Sequence, residues 1–322
     1  MSARASSVVI PSDLAFLVRE GLTRQGQKEL PSKFLYDALG SALFDVICLL
    51  PEYGLTRAEE RILSHHAADI VKHLPPSVAV AELGSGTGKK TRLLLEALCR
   101  KQMVSYYPIE ISSSALANCA RELNDMRCLS VVGLEREYLD GLLEVAARRG
   151  EGQQLLVLFL GSTIGNFDQG ANIAFLKRLR GILWEGDYLL LGADLVKNVD
   201  TMLAAYDDAL GVTAAFNLNM LTRVNRELDA NFVLNQFAHE AVFNPQTHSI
   251  EMHLRSQVDQ AVTIPGADVV VDFAGGESIH TETCHKFSQG ELQLLAKDAG
   301  FRSASTWLDG EWPFAENLWI AA

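Results

Sequence analysis

Short apolar runs alternate with amphipathic stretches along the chain from residue 56 to residue 194. Continuous apolar runs are typical of strands that are buried on both faces of a parallel sheet. Apolar residues spaced three and four apart are typical of helices that pack on such a sheet. The pattern therefore predicts an α/β fold. The predicted strands are 78–82, 104–109, 128–132, 155–160 and 187–193, and the predicted helices are 56–74, 89–100, 112–125, 138–149 and 169–181.

The pattern changes after Asp194, where a helical region from about 198 to 226 is followed by short alternating segments. Thr56-x-x-Glu59 and Ser288-x-x-Glu291 each predict a capping box at a helix start. The remaining predicted elements are helical pieces at 12–25 and 31–50, strands at 250–254, 269–273 and 280–284, a helix from 288 to about 300, and a strand pair at about 302–308 and 316–321.

This order of elements predicts two domains that are interleaved along the sequence. Residues 58–194 and 286–322 form the predicted α/β domain. Residues 1–57 and 195–285 form a second, α+β domain, built from the N-terminus and an insertion into the first.

The turn after the first predicted strand has three glycines at alternate positions, Gly84, Gly86 and Gly88, preceded by Glu82. Glycines allow backbone angles that other residues resist, and they let a ligand approach the chain closely. A strand, an acid, a glycine loop and a helix in this order are typical of a doubly wound sheet that binds an adenosyl cofactor.

The spacing of these glycines distinguishes between cofactor classes. A P-loop requires Gly at 83 and Ser or Thr at 90, where the chain has Leu83 and Lys90. The dinucleotide fingerprint requires a glycine at the position of Lys89. The pattern Glu-x-Gly-x-Gly-x-Gly instead resembles the first motif of S-adenosylmethionine-dependent methyltransferases.

Polar residues follow two other predicted strands at the edge where such sheets bind ligands. Glu110 ends the second strand and can accept hydrogen bonds from ribose hydroxyls. Asn166 lies in the glycine-flanked segment Gly161–Phe167 after the fourth strand, and its amide can hold the amine or carboxylate of an amino acid. The alternative is that Asn166 only caps the next helix.

Composition favours a cytoplasmic enzyme. The 322 residues include 28 Lys and Arg against 40 Asp and Glu, and the resulting formal charge of −12 disfavours binding to nucleic acid or anionic membranes. The first thirteen residues lack the apolar core of a signal peptide, and no stretch reaches the roughly 18 apolar residues of a membrane span. The five scattered cysteines, without CxxC spacing, predict reduced thiols.

Long collinear segments resemble one family, the histidine-specific N-alpha-methyltransferases of ergothioneine biosynthesis, over nearly all of the 322 residues. The segments that carry the resemblance are SKFLYDALGSALFD (32–45), LPEY (50–53), ELGSGTGKKTRLLL (82–95), FLGSTIGNF (159–167), LGADLVK (191–197), AYDDALGVTAAFN (205–217), IEMHLR (250–255) and TETCHKF (281–287). The family's fold is a Rossmann-like class I methyltransferase sheet with a substrate domain built from the N-terminus and an insertion.

The resemblance implies the transfer of three methyl groups from S-adenosylmethionine to the alpha-amine of L-histidine, which gives hercynine and S-adenosylhomocysteine. It implies a monomer that acts on a small molecule without a metal. By similarity, Tyr36 and Asn166 are the catalytic residues, and the substrate contacts are Tyr36, Tyr53, Asn166, Tyr206, Met252, Glu282 and Cys284. The implied cofactor contacts are Gly84, Ser85, Gly86, Lys90, Glu110, Glu135 and Gly161.

The chain departs from the family pattern at several of these positions. Cys284 stands where a serine is expected, and a thiol is a weaker hydrogen-bond partner than a hydroxyl. Glu110 replaces an aspartate, Glu135 falls in a segment where an Asp-Phe pair is expected, and Gly54 stands in place of the Tyr of a Tyr-Pro pair. Of the expected properties, the identity of the substrate depends most on these substituted positions.

Three alternative functions and one alternative site are also compatible with parts of the sequence. The substrate could be another amino acid or a histidine derivative, although a purely apolar side chain would leave Glu282 unpaired and desolvated. The chain could bind S-adenosylmethionine without catalysis, or it could be a nucleotide-dependent oxidoreductase, which Lys89 disfavours. A metal site at His280, Glu282, Cys284 and His285 is disfavoured, because no second ligand pair has zinc-type spacing.

Overall fold

The computed structural model describes residues 13–150, 152–167 and 170–322. Its helices are α1 (Asp13–Thr23), α2 (Ala38–Ile47), α3 (Leu55–Lys72), α4 (Lys89–Cys99), α5 (Ser113–Glu122), α6 (Tyr138–Arg148), α7 (Ala171–Ile182), α8 (Val199–Ala204), α9 (Val212–Leu228) and α10 (Gln289–Asp298). Short 3-10 helices cover Ser32–Leu35, Thr163–Asn166, Leu234–Gln236 and Pro265–Ala267.

The described strands number thirteen. They are β1 (Lys28–Glu29), β2 (Val78–Leu83), β3 (Val104–Ile109), β4 (Leu129–Val131), β5 (Gln154–Phe159), β6 (Tyr188–Asp194), β7 (Phe237–Asn244), β8 (Ser249–Ser256), β9 (Gln260–Ile264), β10 (Val269–Phe273), β11 (Ser278–His285), β12 (Phe301–Leu308) and β13 (Phe314–Ala321).

The chain divides into two compact units, each assembled from separate stretches of sequence. The large unit comprises Cys48–Ala205, Phe243–Ile250 and Thr283–Ala322. The small unit comprises the described part of 1–47 together with Tyr206–Val242 and Glu251–Glu282. Residues 1–12, which belong to the predicted second domain and include most of the segment judged not to be a signal peptide, lie outside the described residues.

The large unit contains a seven-stranded sheet in the order β12-β13-β6-β5-β2-β3-β4. Strands β6, β5, β2, β3 and β4 are parallel, whereas β13 runs antiparallel to both of its neighbours. The chain runs outward from β2 to β4 and then resumes at β5 on the other side of β2. The direction of winding therefore changes between β2 and β5, and ligands bind at such a point in doubly wound sheets.

Apolar packing on both faces explains why β5 is a continuous apolar run. Leu155, Val157 and Phe159 belong to a core that joins the sheet to α6, α7 and α10. Leu156 and Leu158, which point to the opposite face, are also fully buried. The predicted parallel α/β sheet is confirmed.

The small unit contains a four-stranded sheet in the order β1-β11-β8-β7 and the antiparallel pair β9–β10. The last residues of β7 and β11 and the first of β8 are counted with the large unit. In the small unit, Phe44 of α2 contacts Phe216 of α9, with ring centroids 6.0 Å apart. Strands β7 and β9 were not predicted, and neither is strongly apolar.

The prediction of one helical region from 198 to 226 is wrong, because α8 ends at Ala204 and α9 begins only at Val212. Gly211 adopts a positive φ of 73° between the two helices. The carboxylate of Asp208 accepts hydrogen bonds from the backbone N–H groups of Val212 and Thr213, at 3.0 and 2.7 Å. These bonds satisfy the free donors at the start of α9, so the break is stabilised locally.

Of the two predicted capping boxes, one is confirmed. Ser288 and Glu291 cap α10 reciprocally. The box at Thr56 is wrong, because α3 begins at Leu55 after Gly54 and has no side-chain cap. Glu59 is instead fully buried.

The prediction of reduced thiols is wrong for two of the five cysteines. Cys99, at the end of α4, and Cys128, before β4, form a disulfide with their Cα atoms 5.7 Å apart. The two residues are 29 positions apart in sequence, which hides their proximity. They meet because β3 and β4 are adjacent, and the amide of Val104 donates to the carbonyl of Cys128 at 2.9 Å. Among the described residues, Cys48, Cys119 and Cys284 are not in disulfide bonds.

Candidate active site

The glycine loop lies at the carboxyl end of β2. Gly84, Gly86 and Gly88 have positive φ angles of 76°, 51° and 76°, which glycine adopts at little cost. A side chain at Gly86 would meet no atom within 4 Å, so the loop is open at this point. The adjacent Ser85 is buried. The loop therefore exposes backbone to an incoming ligand.

Glu110, at the end of β3, contacts this loop. Its carboxylate accepts hydrogen bonds from the amides of Gly86, at 3.5 Å, and Ser112, at 3.2 Å. The amide of Glu110 in turn donates to the carbonyl of Leu134 at 3.1 Å. Glu135, the next residue, is exposed at the same edge of the sheet. The structure thus brings Glu110, Gly86 and Glu135 into one neighbourhood.

Glu82 supports the loop from below. Its carboxyl is 2% exposed and accepts hydrogen bonds from the hydroxyls of Tyr106 and Thr91. Burial raises its pKa to about 7, although these hydrogen bonds oppose the shift. Glu82 is therefore a structural acid beneath the loop.

Lys90 and Gly161 are joined through Glu59. The Lys90 ammonium forms an ion pair with Oε2 of Glu59, and the amide of Gly161 donates to Oε1 of the same carboxylate at 2.6 Å. Gly161, which follows β5, has a φ of 72°. Two of the predicted cofactor residues are therefore fixed by one buried acid that had been predicted to be a helix cap.

Asn166 ends a 3-10 helix that packs closely on the end of β11. A side chain at Gly165 would lie 2.7 Å from the carbonyl oxygen of His285, so glycine is required there. The thiol of Cys284 donates to Oδ1 of Asn166 at 3.4 Å. The structure therefore brings these two predicted substrate residues together. The predicted alternative, that Asn166 only caps the next helix, is wrong, because the N-cap of α7 is Gly170.

A buried ion cluster surrounds Asp194 at the carboxyl end of β6. Lys197 and Lys286 pair with its two carboxylate oxygens at 2.6 and 3.0 Å, and Trp312 Nε1 donates to it at 2.9 Å. The amide of Asp194 donates to the hydroxyl of Ser162 at 2.9 Å. Burial lowers the pKa of Lys197 to about 8. The cluster thus ties β6 to the segment that contains Asn166.

Tyr53 is buried in the loop before α3. The next residue, Gly54, lies against the ring of Trp312, and a Cβ there would be 2.1 Å from Trp312 Cε3. This contact explains why glycine stands where the resemblance leads one to expect Tyr. Trp312 therefore links the Tyr53 loop to Asp194.

The other predicted substrate residues belong to the small unit. The ring of Tyr36 contacts Phe216 of α9 edge-on, with centroids 5.4 Å apart. The carbonyl of Tyr206 accepts from His239 Nε2 at 2.8 Å, and Asn217 of α9 bonds the other ring nitrogen at 2.9 Å. Both tyrosines are therefore placed around α9.

Met252 and Glu282 lie on adjacent strands of the small unit's sheet. Met252 is 1% exposed, and its carbonyl accepts from the hydroxyl of Thr281 at 3.0 Å. Glu282 is 5% exposed. A buried carboxyl is suited to a ligand with an N–H donor, and a buried methionine to a ligand with apolar surface.

Within the described ranges, no three His, Cys, Asp or Glu side chains are grouped as metal ligands. The two ring nitrogens of His285 contact the Thr247 carbonyl at 2.6 Å and Glu291 at 2.7 Å. His280 packs against His253 with ring centroids 5.3 Å apart.

Two buried acids near Lys90, Glu59 and Glu316, have roles that the sequence did not predict. Both are fully buried. The signal was present: Glu59 interrupts the apolar stripe of α3 formed by Leu55, Ile62 and Leu63, and Glu316 interrupts the apolar run of β13. A charge inside an apolar stripe indicates a specific partner.

The sequence family corresponding to these features is described as histidine-specific, S-adenosylmethionine-dependent methyltransferases, and its profile matches residues 14–321. The chain belongs to this family. The methyltransferase is 42% identical over 306 residues to a histidine N-alpha-methyltransferase of Mycolicibacterium smegmatis, covering 94% of this chain and 92% of the relative. The corresponding protein of Mycobacterium tuberculosis is 40% identical over 296 residues, covering 90% of each chain.

A fungal relative is longer. The ergothioneine biosynthesis protein 1 of Neurospora crassa is 30% identical over 294 residues, which cover 89% of the methyltransferase but 32% of that protein. The predicted Rossmann-like class I fold is confirmed by the sheet order and by family membership. No described helix is both long and apolar enough to cross a membrane.

The cofactor of the family is S-adenosylmethionine, and the loop geometry fits it. Gly86 leaves open space over the backbone, and the Glu110 carboxylate lies beside it, suited to hydroxyl donors. Lys90 offers a cation at the start of α4. No phosphate-binding spacing is present, in agreement with a cofactor that lacks phosphate.

Proposed function

We propose that this methyltransferase transfers methyl groups from S-adenosylmethionine to the alpha-amine of L-histidine. Three transfers give trimethylhistidine (hercynine), the first step of ergothioneine biosynthesis. The observation that supports this most is the 42% identity over 94% of the chain to a relative named as a histidine N-alpha-methyltransferase. The description of the family as histidine-specific supports the same function.

In the large unit, we propose that Tyr53 and Asn166 bind the carboxylate and amine of the amino acid. An amide has both donors and an acceptor, so Asn166 can orient a zwitterion without adding net charge. Cys284 donates to Oδ1 of Asn166, which defines the orientation of the amide. For the cofactor, the proposed contacts are Gly84, Ser85, Gly86, Lys90, Glu110, Glu135 and Gly161.

In the small unit, which we propose to be the substrate domain, Tyr206 also contacts the carboxylate or amine, and Tyr36 lies near the amine and imidazole. Met252 and Glu282 contact the imidazole. Glu282 carries the selection of the side chain, because its buried carboxyl can accept the imidazole N–H. A substrate without such a donor leaves this group unpaired, which is unfavourable.

The proposed chemistry is an in-line displacement. When bound, the cofactor supplies a methyl group on a cationic sulfur. The amine nitrogen forms a bond to the methyl carbon, and the electrons of the broken carbon–sulfur bond stay on the sulfur. The amine must be neutral to attack, so a proton leaves to solvent before each transfer. The tyrosines and Asn166 accelerate the reaction mainly by holding the amine in the attacking orientation.

The decisive experiment is mass spectrometry of a panel of free amino acids after incubation with the purified protein and S-adenosylmethionine. We expect histidine to gain three methyl groups. If another amino acid gains methyl groups and histidine gains none, that amino acid is the substrate instead. If no amino acid gains a methyl group, the proposed function is contradicted.

A Glu282→Ala variant tests side-chain selection in the same assay. We expect the KM for histidine to rise about tenfold or more, because a buried charge-assisted hydrogen bond is lost. Affinity for S-adenosylhomocysteine, measured by calorimetry, should remain unchanged. Equal losses of both would assign Glu282 a general structural role.

We further propose that the enzyme acts as a monomer in the cytoplasm and needs no nucleic acid. Sedimentation of the purified protein tests the monomer, and a dimer at assay concentration would contradict it.

A further inference from the structure

The carboxyl group of Glu316 is fully buried, and neither of its oxygens has a hydrogen-bond partner among the described residues. It lies in β13, opposite Gly192 of β6 and Trp307 of β12, neither of which titrates. A buried, unpaired carboxylate is strongly unfavourable. Its protonation state is therefore decided by the groups around it.

The titratable groups around Glu316 come from three elements. They are Glu59 of α3, Lys90 of α4 and Glu82 of β2. A Cβ placed on Gly192 would lie 2.6 Å from Oε1 of Glu59 and 3.0 Å from Oε1 of Glu316. The carboxyl groups of Glu59, on α3, and Glu316, on β13, therefore both lie next to Gly192.

The charges do not balance if every group is ionised, because three buried carboxylates would face one ammonium. Burial raises the pKa of Glu316 well above its ordinary range, and the neighbouring negative charge of Glu59 raises it further. Glu59 already forms an ion pair with the Lys90 ammonium and accepts a hydrogen bond from the Gly161 amide. The proton therefore resides on Glu316.

We propose that Glu316 is a neutral acid that donates its proton to Glu59 in a hydrogen bond, and that it thereby positions Lys90 and Gly161 for the cofactor. Glu59 then receives three donors: the Glu316 hydroxyl, the Lys90 ammonium and the Gly161 amide. Glu316 is a positioning residue, since it acts through Glu59 rather than on the cofactor itself.

Because Glu316 is neutral, the single negative charge of Glu59 is matched by the single positive charge of Lys90. The Lys90 Nζ lies 3.7 Å from the Cβ position of Gly161, so the cation stays at the end of β5. Loss of the Glu316 proton would place two carboxylates side by side and draw Lys90 away from Gly161. Cofactor affinity should then fall as pH rises.

Calorimetry with S-adenosylhomocysteine tests this on the full chain, from neutral to alkaline pH. The wild type should lose affinity as pH rises. Glu316→Gln, whose amide still donates to Glu59 but cannot ionise, should match the wild type near neutrality and lack this loss. Any titration of S-adenosylhomocysteine itself affects the wild type and Glu316→Gln equally, so it cancels in the comparison. Glu316→Ala should bind about tenfold more weakly at neutral pH, the effect of one buried hydrogen bond.

Leu318→Ala is the matched control, because Leu318 is fully buried on the same face of the same strand. It should lower thermal stability without changing the pH dependence of binding. Infrared difference spectra of wild type and Glu316→Gln give a direct measurement even if the alanine variant does not fold. The wild type should show the C=O band of a protonated acid that the variant lacks.

Two results would overturn the proposal. One is a pH dependence of binding that is the same in wild type and Glu316→Gln. The other is the absence of the protonated-acid band from the difference spectrum. Neither measurement uses histidine, so both are independent of the substrate.

Discussion

The carboxyl group of Glu82 is almost excluded from solvent beneath the glycine loop, and its pKa is raised to about 7 from 4.5, chiefly by burial. The folded protein therefore holds this proton more tightly than the unfolded chain does. The contribution to stability is complete below about pH 4.5 and is lost as pH rises through about 7.

Glu82→Gln should remove this dependence. Relative to the variant, we expect the wild type to lose about 3 kcal/mol of unfolding free energy as pH rises from 4.5 to about 7. Urea denaturation across this range measures it, with the exposed site Glu185→Gln as control. Parallel pH profiles of wild type and Glu82→Gln would contradict the assignment.

Single residues also show where sequence patterns mislead. Thr56-x-x-Glu59 and Ser288-x-x-Glu291 have the same spacing, yet only the second is a capping box. Glu59 lies on the buried face of α3, where ion pairing and burial outweigh capping. The pattern records the spacing of two side chains but not which face of the helix is buried.

At the scale of elements, the start of α3 depends on the loop between β12 and β13. The ring of Trp312 occupies the space that a side chain at Gly54 would need. Gly54 has a φ of −74°, which alanine also adopts, so a substitution there is limited by space and not by backbone strain.

Gly54→Ala should lower the unfolding free energy by about 1–3 kcal/mol through overpacking. The double variant Gly54→Ala/Trp312→Leu should be less destabilised than the sum of the single variants, because the smaller leucine removes the clash. A double-mutant cycle by urea denaturation measures the coupling, which should exceed about 0.5 kcal/mol. Simple additivity would contradict the contact.

The disulfide joins the end of α4 to the strand β4, and α4 begins at the glycine loop. Closing a loop of 29 residues should stabilise the oxidised protein by about 3–4 kcal/mol. We expect reductant to lower the melting temperature of the wild type and to leave a Cys99→Ser/Cys128→Ser variant unchanged. Titration of five free thiols in the unfolded, unreduced protein would disprove the bond.

At the scale of the whole molecule, the division of labour between the two units can be tested by hydrogen exchange. S-adenosylhomocysteine alone should slow exchange in the large unit, at the glycine loop and near Glu110 and Gly161. L-Histidine added to that complex should slow exchange in the small unit, near Tyr206 and Glu282. Protection by histidine confined to the large unit would contradict the proposed substrate domain.

The sheet of the large unit could be predicted from sequence because its strands are short apolar runs that are buried on both faces, as β5 is. The cofactor class followed from glycine spacing. Strands β7 and β9 escaped prediction because they are only partly buried, so they carry little apolar signal. The disulfide and the convergence of Glu59 with Glu316 depend on tertiary proximity between distant segments, which no local pattern records.

The position of β13 in the sheet affects how the protein folds while it is being translated. This strand lies between β12 and β6, so it fills an interior place, yet it is the last of the described strands to leave the ribosome. During translation, the edge of the nascent sheet at β6 therefore stays unpaired until β13 has been made. Until then, Glu59 and Lys90 also lack their contact with Glu316. Unpaired apolar edges are prone to association. Chaperone capture of the nascent chain should accordingly persist until β13 has emerged.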